Sequence, residues 1–313
     1  MRAAQFSKYG GPEVVEFNPE AVLPNVKEGQ VLVEAHAASL NAIDTIVRAG
    51  YMQAMLPLTF PVTVAGDFAG EVREVGPGVA DLKPGDRVFG FAPVIAGGSG
   101  AAAEVVATNA MAVGRKPGAA SYGEAAALPL AGVSAVQALE DYMKVGPDQK
   151  VLVHGGAGGV GSFAVQYAKH LGCHVATTVR GSQAGFARKI GADEVIDFEL
   201  KGFETVVRNY DAVLDTVGGE VYKRSFATLK TGGVLASLVQ NPPDQELAAK
   251  FGVRTVAVSA QVNAGSLNRL ASLVEGGALK SQLDSEYPLE RTREAFAHFE
   301  SSHLMGKVVI RIK

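Results

Sequence analysis

The spacing of hydrophobic residues divides the chain into a strand-rich part and a part in which strands and helices alternate. Up to about residue 117, short apolar runs are separated by Gly, Pro and Asp, which is typical of β-strands joined by turns. The clearest runs are 31–37, 69–75, 87–91 and 103–107. This first part is therefore predicted to be a compact β-rich domain.

From Ser121 onward the pattern changes. A helix-like stretch runs to Lys144, and apolar runs then alternate with segments of helical spacing. The predicted strands are 150–154, 174–179, 195–198, 212–215, 234–239 and 255–259, and the predicted helices are 160–171, 183–190, 220–229 and 266–274. Such alternation requires right-handed crossovers and gives an α/β fold with a parallel, doubly wound sheet. A final helix at 291–300 and a strand at 307–312 are predicted to return to the first domain.

The sequence Gly156-x-Gly158-x-x-Gly161 lies between a predicted strand and a predicted helix. The turn at Gly156, the approach of a pyrophosphate at Gly158 and helix packing at Gly161 each disfavour a Cβ. The N–H groups and the positive dipole end of the helix then face the phosphates. The predicted cofactor loop consists of Gly156, Ala157, Gly158, Gly159, Val160 and Gly161. A purely structural glycine turn is the alternative, and the strand-to-helix context favours dinucleotide binding.

The end of the second strand of this unit indicates which dinucleotide binds. An acidic residue here would bind the ribose diol, but the chain has Val179, followed by Arg180 and Ser182. A cation and a hydroxyl suit a ribose phosphate, so NADPH is favoured over NADH. The alternative is that Arg180 is an ordinary exposed loop residue.

The composition of the chain excludes several classes of protein. A chain of 313 residues with 47% hydrophobic residues suits two domains, and the net charge of −3 gives no basic surface for nucleic acid. No apolar run is long enough to span a membrane, and the first residues do not resemble a signal peptide. We therefore expect a cytoplasmic protein whose partners are neither nucleic acid nor a membrane. Cys173 is the only cysteine, which excludes intrachain disulfides and a cysteine-rich metal site, and it is expected to be a packed thiol.

Six segments together resemble the medium-chain dehydrogenase/reductase superfamily. They are residues 83–88, 125–132, the glycine loop, 191–193, 215–219 and 306–309. The resemblance covers essentially the whole chain. Within the superfamily, the chain looks like the zinc-independent quinone oxidoreductase, or zeta-crystallin-like, branch. It implies a GroES-like catalytic domain over 1–117 and 263–313, and a Rossmann domain that binds NADP(H) over 118–262.

The resemblance also implies site residues. The run from Asn41 to Tyr51 is similar to the family's active-site segment, so Asn41 and Tyr51 are expected to form hydrogen bonds near substrate and nicotinamide, and Asp44 to organise the segment. The alternative is that Asn41 and Asp44 cap a helix over 43–49. Further cofactor contacts are expected from Ser134, Thr216, Val217, Ser259 and Gln261. For Ser134, a bond to its own helix backbone is the alternative. A homodimer joined through the strand at 255–259 is also implied.

Zinc-dependent members carry a Cys and a His where this chain has Asn41 and Gly66, so no catalytic metal is expected. Without a Lewis acid, the acceptor must delocalise negative charge by conjugation. We therefore expect an NADPH-dependent, zinc-independent reductase that transfers hydride to quinones. The alternatives are an ene-reductase of α,β-unsaturated aldehydes and ketones, and a structural or regulatory protein that binds NADPH without turnover.

Overall fold

The computed structural model describes residues 1–239, 242–301 and 303–313, and it divides the chain into two compact units. The first unit comprises Met1–Leu130 and Val262–Lys313, and the second comprises Ala131–Gln261. The carboxyl-terminal segment therefore belongs to the same unit as the amino-terminal residues.

The regular structure consists mainly of strands and short helices. The strands of the described residues are β1 (Ala3–Phe6), β2 (Glu16–Asn18), β3 (Gln30–Ser39), β4 (Val62–Thr63), β5 (Asp67–Val75), β6 (Arg87–Phe91), β7 (Val105–Asn109), β8 (Val113–Arg115), β9 (Lys150–His154), β10 (His174–Val179), β11 (Glu194–Asp197), β12 (Tyr210–Asp215), β13 (Leu229–Ser237), β14 (Arg254–Ala257), β15 (Leu283–Pro288) and β16 (Lys307–Arg311). The α-helices of the same residues are α1 (Ala42–Arg48), α2 (Tyr122–Ala126), α3 (Pro129–Gln137), α4 (Gly159–His170), α5 (Ala184–Lys189), α6 (Gly219–Ser225), α7 (Gln245–Phe251), α8 (Ala264–Glu275) and α9 (Thr292–Phe299). None of these helices is long and apolar enough to cross a lipid bilayer.

The first unit is organised around β3. This ten-residue strand lies inside a seven-stranded sheet of order β15-β16-β3-β5-β6-β8, and β7 pairs with it as well. A separate three-stranded sheet has the order β2-β1-β4. Because β16 pairs antiparallel with the end of β3, the last strand of the chain is aligned with the residues that lead into α1.

The first boundary falls at Leu130, later than the predicted boundary at residue 117. The reason is the packing of α2. The Tyr122 ring stacks on His36 with centroids 4.0 Å apart, and its hydroxyl donates a hydrogen bond of 2.7 Å to Glu71. These contacts attach α2 to β3 and β5, although its helical spacing resembles that of the second unit.

The second unit contains a six-stranded parallel sheet of order β11-β10-β9-β12-β13-β14. Numbered within the unit, this is the order 3-2-1-4-5-6 of the Rossmann fold. The centre of β9, Val151-Leu152-Val153, is fully buried, as expected for a parallel strand covered on both faces. The predicted doubly wound α/β sheet is confirmed.

Several predicted bounds differ from the structure. The helix-like stretch from Ser121 to Lys144 is divided into α2, α3 and a π-helical segment over Ala138–Met143. The break between α2 and α3 falls there because Pro129 disfavours helical backbone at the residue before it. The strands predicted to reach residues 239 and 259 end at Ser237 and Ala257. Helix α7 was not predicted.

Candidate functional site

The glycine loop joins β9 to α4 as predicted, but its sharp turn lies one residue earlier. The positive φ of +68° belongs to Gly155, whereas Gly156 is restricted by contact. A Cβ on Gly156 would lie 2.0 Å from Thr177 Oγ1, and a Cβ on Gly161 would lie 2.1 Å from the carbonyl oxygen of Gly155. The second contact packs the first turn of α4 closely against the turn that follows β9.

The middle of the loop is built differently. A Cβ on Gly158 would have only one neighbour within 4 Å, at 3.4 Å. Gly158 caps α4 with an extended backbone, and Gly159, Val160 and Gly161 form the first turn. The N–H groups of such a turn have no acceptors within the helix. The protein's own packing therefore leaves the space at Gly158 that a closely approaching phosphate requires.

A buried histidine is connected to the start of this loop by hydrogen bonds. His154 is fully buried, and its Nδ1 and Nε2 lie 3.0 Å from Thr178 Oγ1 and 2.9 Å from Ser225 Oγ. Because Ser225 donates its proton to the carbonyl of Val221, it accepts from His154 Nε2–H. The Nδ1 atom then accepts from Thr178, whose oxygen accepts from Gly155 N–H. Burial lowers the pKa of His154 to about 4, which keeps the imidazole neutral.

Thr216 and Val217 lie beside the loop at the carboxyl end of β12, where ligands of doubly wound sheets bind. Thr216 donates a 2.8 Å hydrogen bond to the carbonyl of His154, and the Val217 side chain is about half exposed. Asp215 fixes their backbone by accepting hydrogen bonds from the N–H groups of Val217 and Gly218. The predicted contact residues are therefore held next to the glycine loop.

The residues predicted to bind the ribose phosphate follow β10. Val179 is buried, Ser182 is exposed, and Arg180 is partly exposed. The Arg180 guanidinium lies 2.5 Å from a Glu199 carboxylate oxygen and 5.5 Å from the centre of the Phe198 ring. A cation is therefore present where it was predicted, but the sequence reasoning did not identify its acidic partner.

Two further predicted cofactor residues have internal partners. The carbonyl of Ser259 accepts a 3.0 Å hydrogen bond from Tyr142, and the N–H of Gln261 donates a 2.9 Å bond to the Gln137 side chain. Their backbone groups are thus already used within the second unit. Ser134 is buried on α3.

In the first unit, Asn41 and Asp44 stand at the start of α1. Asp44 accepts a 2.7 Å hydrogen bond from Asn41 N–H, which is the capping role considered for it. Burial raises the pKa of the Asp44 carboxyl to about 7. The side chain also lines a small cavity with Ile43 and Val94. Asp44 therefore both organises the segment and is able to titrate near neutral pH.

The Asn41 side chain is held by a buried ion pair that the sequence reasoning did not identify. Lys307 Nζ donates to Asn41 Oδ1 at 2.5 Å, and Asn41 Nδ2 donates to Asp67 Oδ2 at 2.9 Å. Lys307 and Asp67 are 2% and 0% exposed, with Nζ and Oδ2 3.7 Å apart. Burial raises the pKa of Asp67 and lowers that of Lys307. The amide is therefore fixed with its oxygen toward Lys307 and its nitrogen toward Asp67.

Tyr51, the third predicted catalytic residue, follows α1 in a turn. Gly50 before it has a positive φ of +84°, and the Tyr51 side chain is 79% exposed. Its hydroxyl has no hydrogen-bond partner among the residues that the structure describes. Ile46 is partly exposed on α1.

The two positions that hold zinc ligands in zinc-dependent relatives do not fit a metal. Asn41 is already bonded at both ends of its amide. A Cβ on Gly66 would lie 2.6 Å from the Phe91 ring, so a longer side chain requires that ring to move. Cys173 belongs to the second unit and is buried, and burial raises the pKa of its thiol to about 11. In the described ranges, no group of three His, Cys, Asp or Glu side chains is placed to bind a metal.

Comparisons with known proteins cover the sequences of both units. Residues 27–169 match the alcohol dehydrogenase GroES-like domain, and residues 190–310 match a family described as zinc-binding dehydrogenase. The chloroplast envelope quinone oxidoreductase homolog of Arabidopsis thaliana is 31% identical over 99% of this chain and 98% of its own. The NADPH-dependent alkenal/one oxidoreductase of the same plant is 34% identical over 99% of this chain and 79% of its own.

A solved structure extends the comparison to the fold. Escherichia coli quinone oxidoreductase complexed with NADPH superposes with a TM-score of 0.89 at 28% identity, covering all of both chains. The fold and site thus define an oxidoreductase with GroES-like and Rossmann domains. The chain belongs to the medium-chain dehydrogenase/reductase superfamily, among its quinone-oxidoreductase-like members. The resemblance inferred from the sequence is confirmed, as is the GroES-like assignment of the β-rich domain.

Proposed function

We propose that this protein is an NADPH-dependent reductase that transfers hydride to quinones without zinc. The observation that carries the proposal is the loop at the end of β9, where Gly158 leaves space for a phosphate and the first turn of α4 offers N–H donors. Arg180 lies at the end of the neighbouring strand. NADPH bound to this loop would supply the hydride. The relatives named quinone oxidoreductase support the choice of acceptor.

Three residues of the first unit are proposed to serve the acceptor. Asn41, whose amide is fixed by Lys307 and Asp67, would form hydrogen bonds with it. Tyr51 would bind or protonate it through its exposed hydroxyl, and Asp44 would hold the start of α1. Fixed hydrogen-bond donors stabilise the charge that develops on a reduced carbonyl.

The residues at positions 41 and 66 support the proposal that no zinc is used. A catalytic zinc normally has three protein ligands, and neither of these side chains supplies one. Conjugated acceptors need less electrostatic help, because conjugation spreads the negative charge. Elemental analysis is expected to find zinc far below one atom per chain, and chelators are expected to leave activity unchanged.

The second candidate is an ene-reductase, which the relative named alkenal/one oxidoreductase favours. A panel of quinones and enones under NADPH, followed by NADPH absorbance, separates the two. Rapid turnover of quinones supports the first proposal. Deuteride at the β-carbon of an enone, with negligible quinone turnover, would replace it with the second. Tight binding of NADPH without oxidation by any acceptor would point to a structural or regulatory role instead.

Location in the cytoplasm and assembly as a homodimer complete the proposal. Fractionation of the source cells would test the location, and the oligomeric state has its own test below.

A further inference from the structure

Two carboxylates flank the residues proposed to bind the ribose phosphate. Strands β10 and β11 are adjacent and parallel, with Val179 opposite Asp197. The loop after β11 therefore runs beside the loop after β10. Asp197 accepts a 3.0 Å hydrogen bond from the N–H of Glu199, which fixes the backbone at that residue. Glu199 is thus held close to Arg180 by the pairing of the two strands.

The carboxylate of Glu199 is paired with the cation that stands at the end of β10. Its Oε1 atom lies 2.5 Å from Arg180 Nη1, and the Glu199 and Arg180 side chains are 48% and 29% exposed. The Arg180 guanidinium also lies over Phe198, so it is held on two sides. A ribose phosphate that binds Arg180 must displace this carboxylate or share the guanidinium with it.

Asp197 adds a second negative charge near the same segment. Its Oδ2 atom would lie 2.4 Å from a Cβ on Gly181, so the carboxylate packs directly against the Arg180-Gly181-Ser182 backbone. The formal charges of Arg180, Asp197 and Glu199 sum to −1. The neighbourhood of the ribose therefore attracts a dianionic phosphate less strongly than the arginine alone would.

We propose that Glu199 is a specificity-determining residue that limits the preference for NADPH over NADH by holding Arg180. The inference rests on the proposed function, because it assumes that the glycine loop binds a nicotinamide dinucleotide. NADH has no phosphate at this position, so its binding does not require release of Arg180. The cost of breaking the pair falls on NADPH only.

The expected effect is moderate because the pair is partly solvated. Exposed ion pairs contribute little to stability, and repulsion between Glu199 and a dianionic phosphate at the surface is of similar size. Replacing Glu199 by Gln removes both effects and keeps the side-chain length. We therefore expect E199Q to tighten NADPH binding about threefold to tenfold and to change NADH binding less than twofold.

The test measures dissociation constants of NADPH and NADH by titration calorimetry for the wild type, E199Q, R180A and the double variant R180A/E199Q. R180A should weaken NADPH much more than NADH. In the R180A background, E199Q should improve NADPH binding clearly less than it does in the wild type, because only the repulsion between Glu199 and the phosphate then remains to be removed. E194Q is the matched control: Glu194 is 44% exposed at the opposite end of β11. It should change neither constant.

Each other outcome contradicts a particular claim. Equal tightening of NADPH and NADH by E199Q, or no change in either, would overturn the role of Glu199 while leaving dinucleotide binding intact. The same gain in the wild-type and R180A backgrounds would show that Glu199 acts by repulsion alone and not by holding Arg180. A wild-type protein that binds neither dinucleotide would instead overturn the proposed function.

Discussion

The environment of Lys307 is unusual for a lysine, because its side chain is buried. Lysine is normally solvated, but this ammonium group is 2% exposed and bonded to Leu40 O and Asn41 Oδ1, beside the buried Asp67. Removing one partner of a buried ion pair leaves an uncompensated charge, whereas removing both can be nearly neutral. Loss of Lys307 alone should therefore destabilise the first unit more than loss of Lys307 and Asp67 together.

Replacing Lys307 by Met tests that expectation. We expect K307M to lower the free energy of unfolding by about 3–5 kcal/mol, since Asp67 would be left buried without the ammonium group that compensates its charge. K313M is the matched control, because Lys313 pairs with Glu34 at the surface and should cost at most about 1 kcal/mol. Urea unfolding measures both. The double variant D67N/K307M should recover part of the loss, and equal losses for K307M and K313M would contradict the argument.

Asp44 should make stability depend on pH. Burial raises its pKa from 3.8 to about 7, so the folded protein retains this proton to a higher pH than the unfolded chain does. The contribution of Asp44 to stability is therefore fully present below about pH 4 and is lost as the pH rises to 7. At about 1.4 kcal/mol for each pKa unit, the loss is at most about 4 kcal/mol.

Urea unfolding at pH 5 and pH 8 measures this dependence. D44N keeps an acceptor for the Asn41 N–H but cannot ionise, so its stability should fall less between the two pH values than that of the wild type. D141N, at an exposed residue of the π-helical segment, is the control and should follow the wild type. A D44N variant with the full wild-type slope would show that another group is responsible.

For individual residues, the sequence indicated candidate side chains for the site but not the side chains that they contact. Asn41 and Asp44 were named because their segment resembles the family's active-site segment, and Arg180 was named because it follows the predicted strand at 174–179. Lys307 lies 266 positions from Asn41, and only the pairing of β16 with β3 brings them together. The Glu199 partner of Arg180 likewise depends on the alignment of β11 with β10, which local spacing does not specify.

At the scale of elements, the turn from β9 into α4 contains two kinds of glycine. Some are required by the packing of the protein itself, and one is proposed to leave space for the ligand. A methyl group on Gly156 or Gly161 would lie 2.0 or 2.1 Å from its nearest neighbour, so substitution there would disturb the fold itself. Gly158 has a φ of −75° and one neighbour at 3.4 Å, so an alanine fits the protein. A methyl group at Gly158 would instead occupy the space proposed for the phosphate.

G158A should therefore lose binding without losing stability. We expect a free energy of unfolding within about 1 kcal/mol of the wild type, since only a cap residue changes, and NADPH binding weakened at least about tenfold. Titration calorimetry and urea unfolding measure the two quantities. G185A, at an open position on α5, is the control and should keep wild-type affinity. Unchanged NADPH affinity in G158A would exclude this loop as the phosphate site.

Elements with strong local patterns were predicted well, and short or contact-dependent ones were not. Strands β9 and β10 match their predicted bounds because each is a short run rich in β-branched residues with a turn signal close behind it. By contrast, β4 has only two residues, and it exists because Val62 and Thr63 pair with β1. Helix α2 was predicted as a helix but assigned to the wrong domain, since its partners His36 and Glu71 are distant in sequence.

At the scale of the whole molecule, the β14 edge of the second unit's sheet is where the homodimer is predicted to form. β14 is the last strand of the sheet, and no described strand pairs with its outer side. An open strand edge can pair with a second copy of the chain. Val258 N–H donates inward to Ser237 O, so alternation along the strand turns the N–H of Ala257 outward.

We expect the wild type to sediment as a dimer of the 32.5 kDa chain and A257P to sediment as a monomer. Proline removes the outward N–H of Ala257 and leaves the Val258 bond to β13 in place, so only pairing between copies is lost. Circular dichroism and thermal melting check that A257P keeps its fold. A wild type that is monomeric at micromolar concentration would contradict the predicted homodimer, and a folded A257P that remains dimeric would place the interface on a surface other than β14.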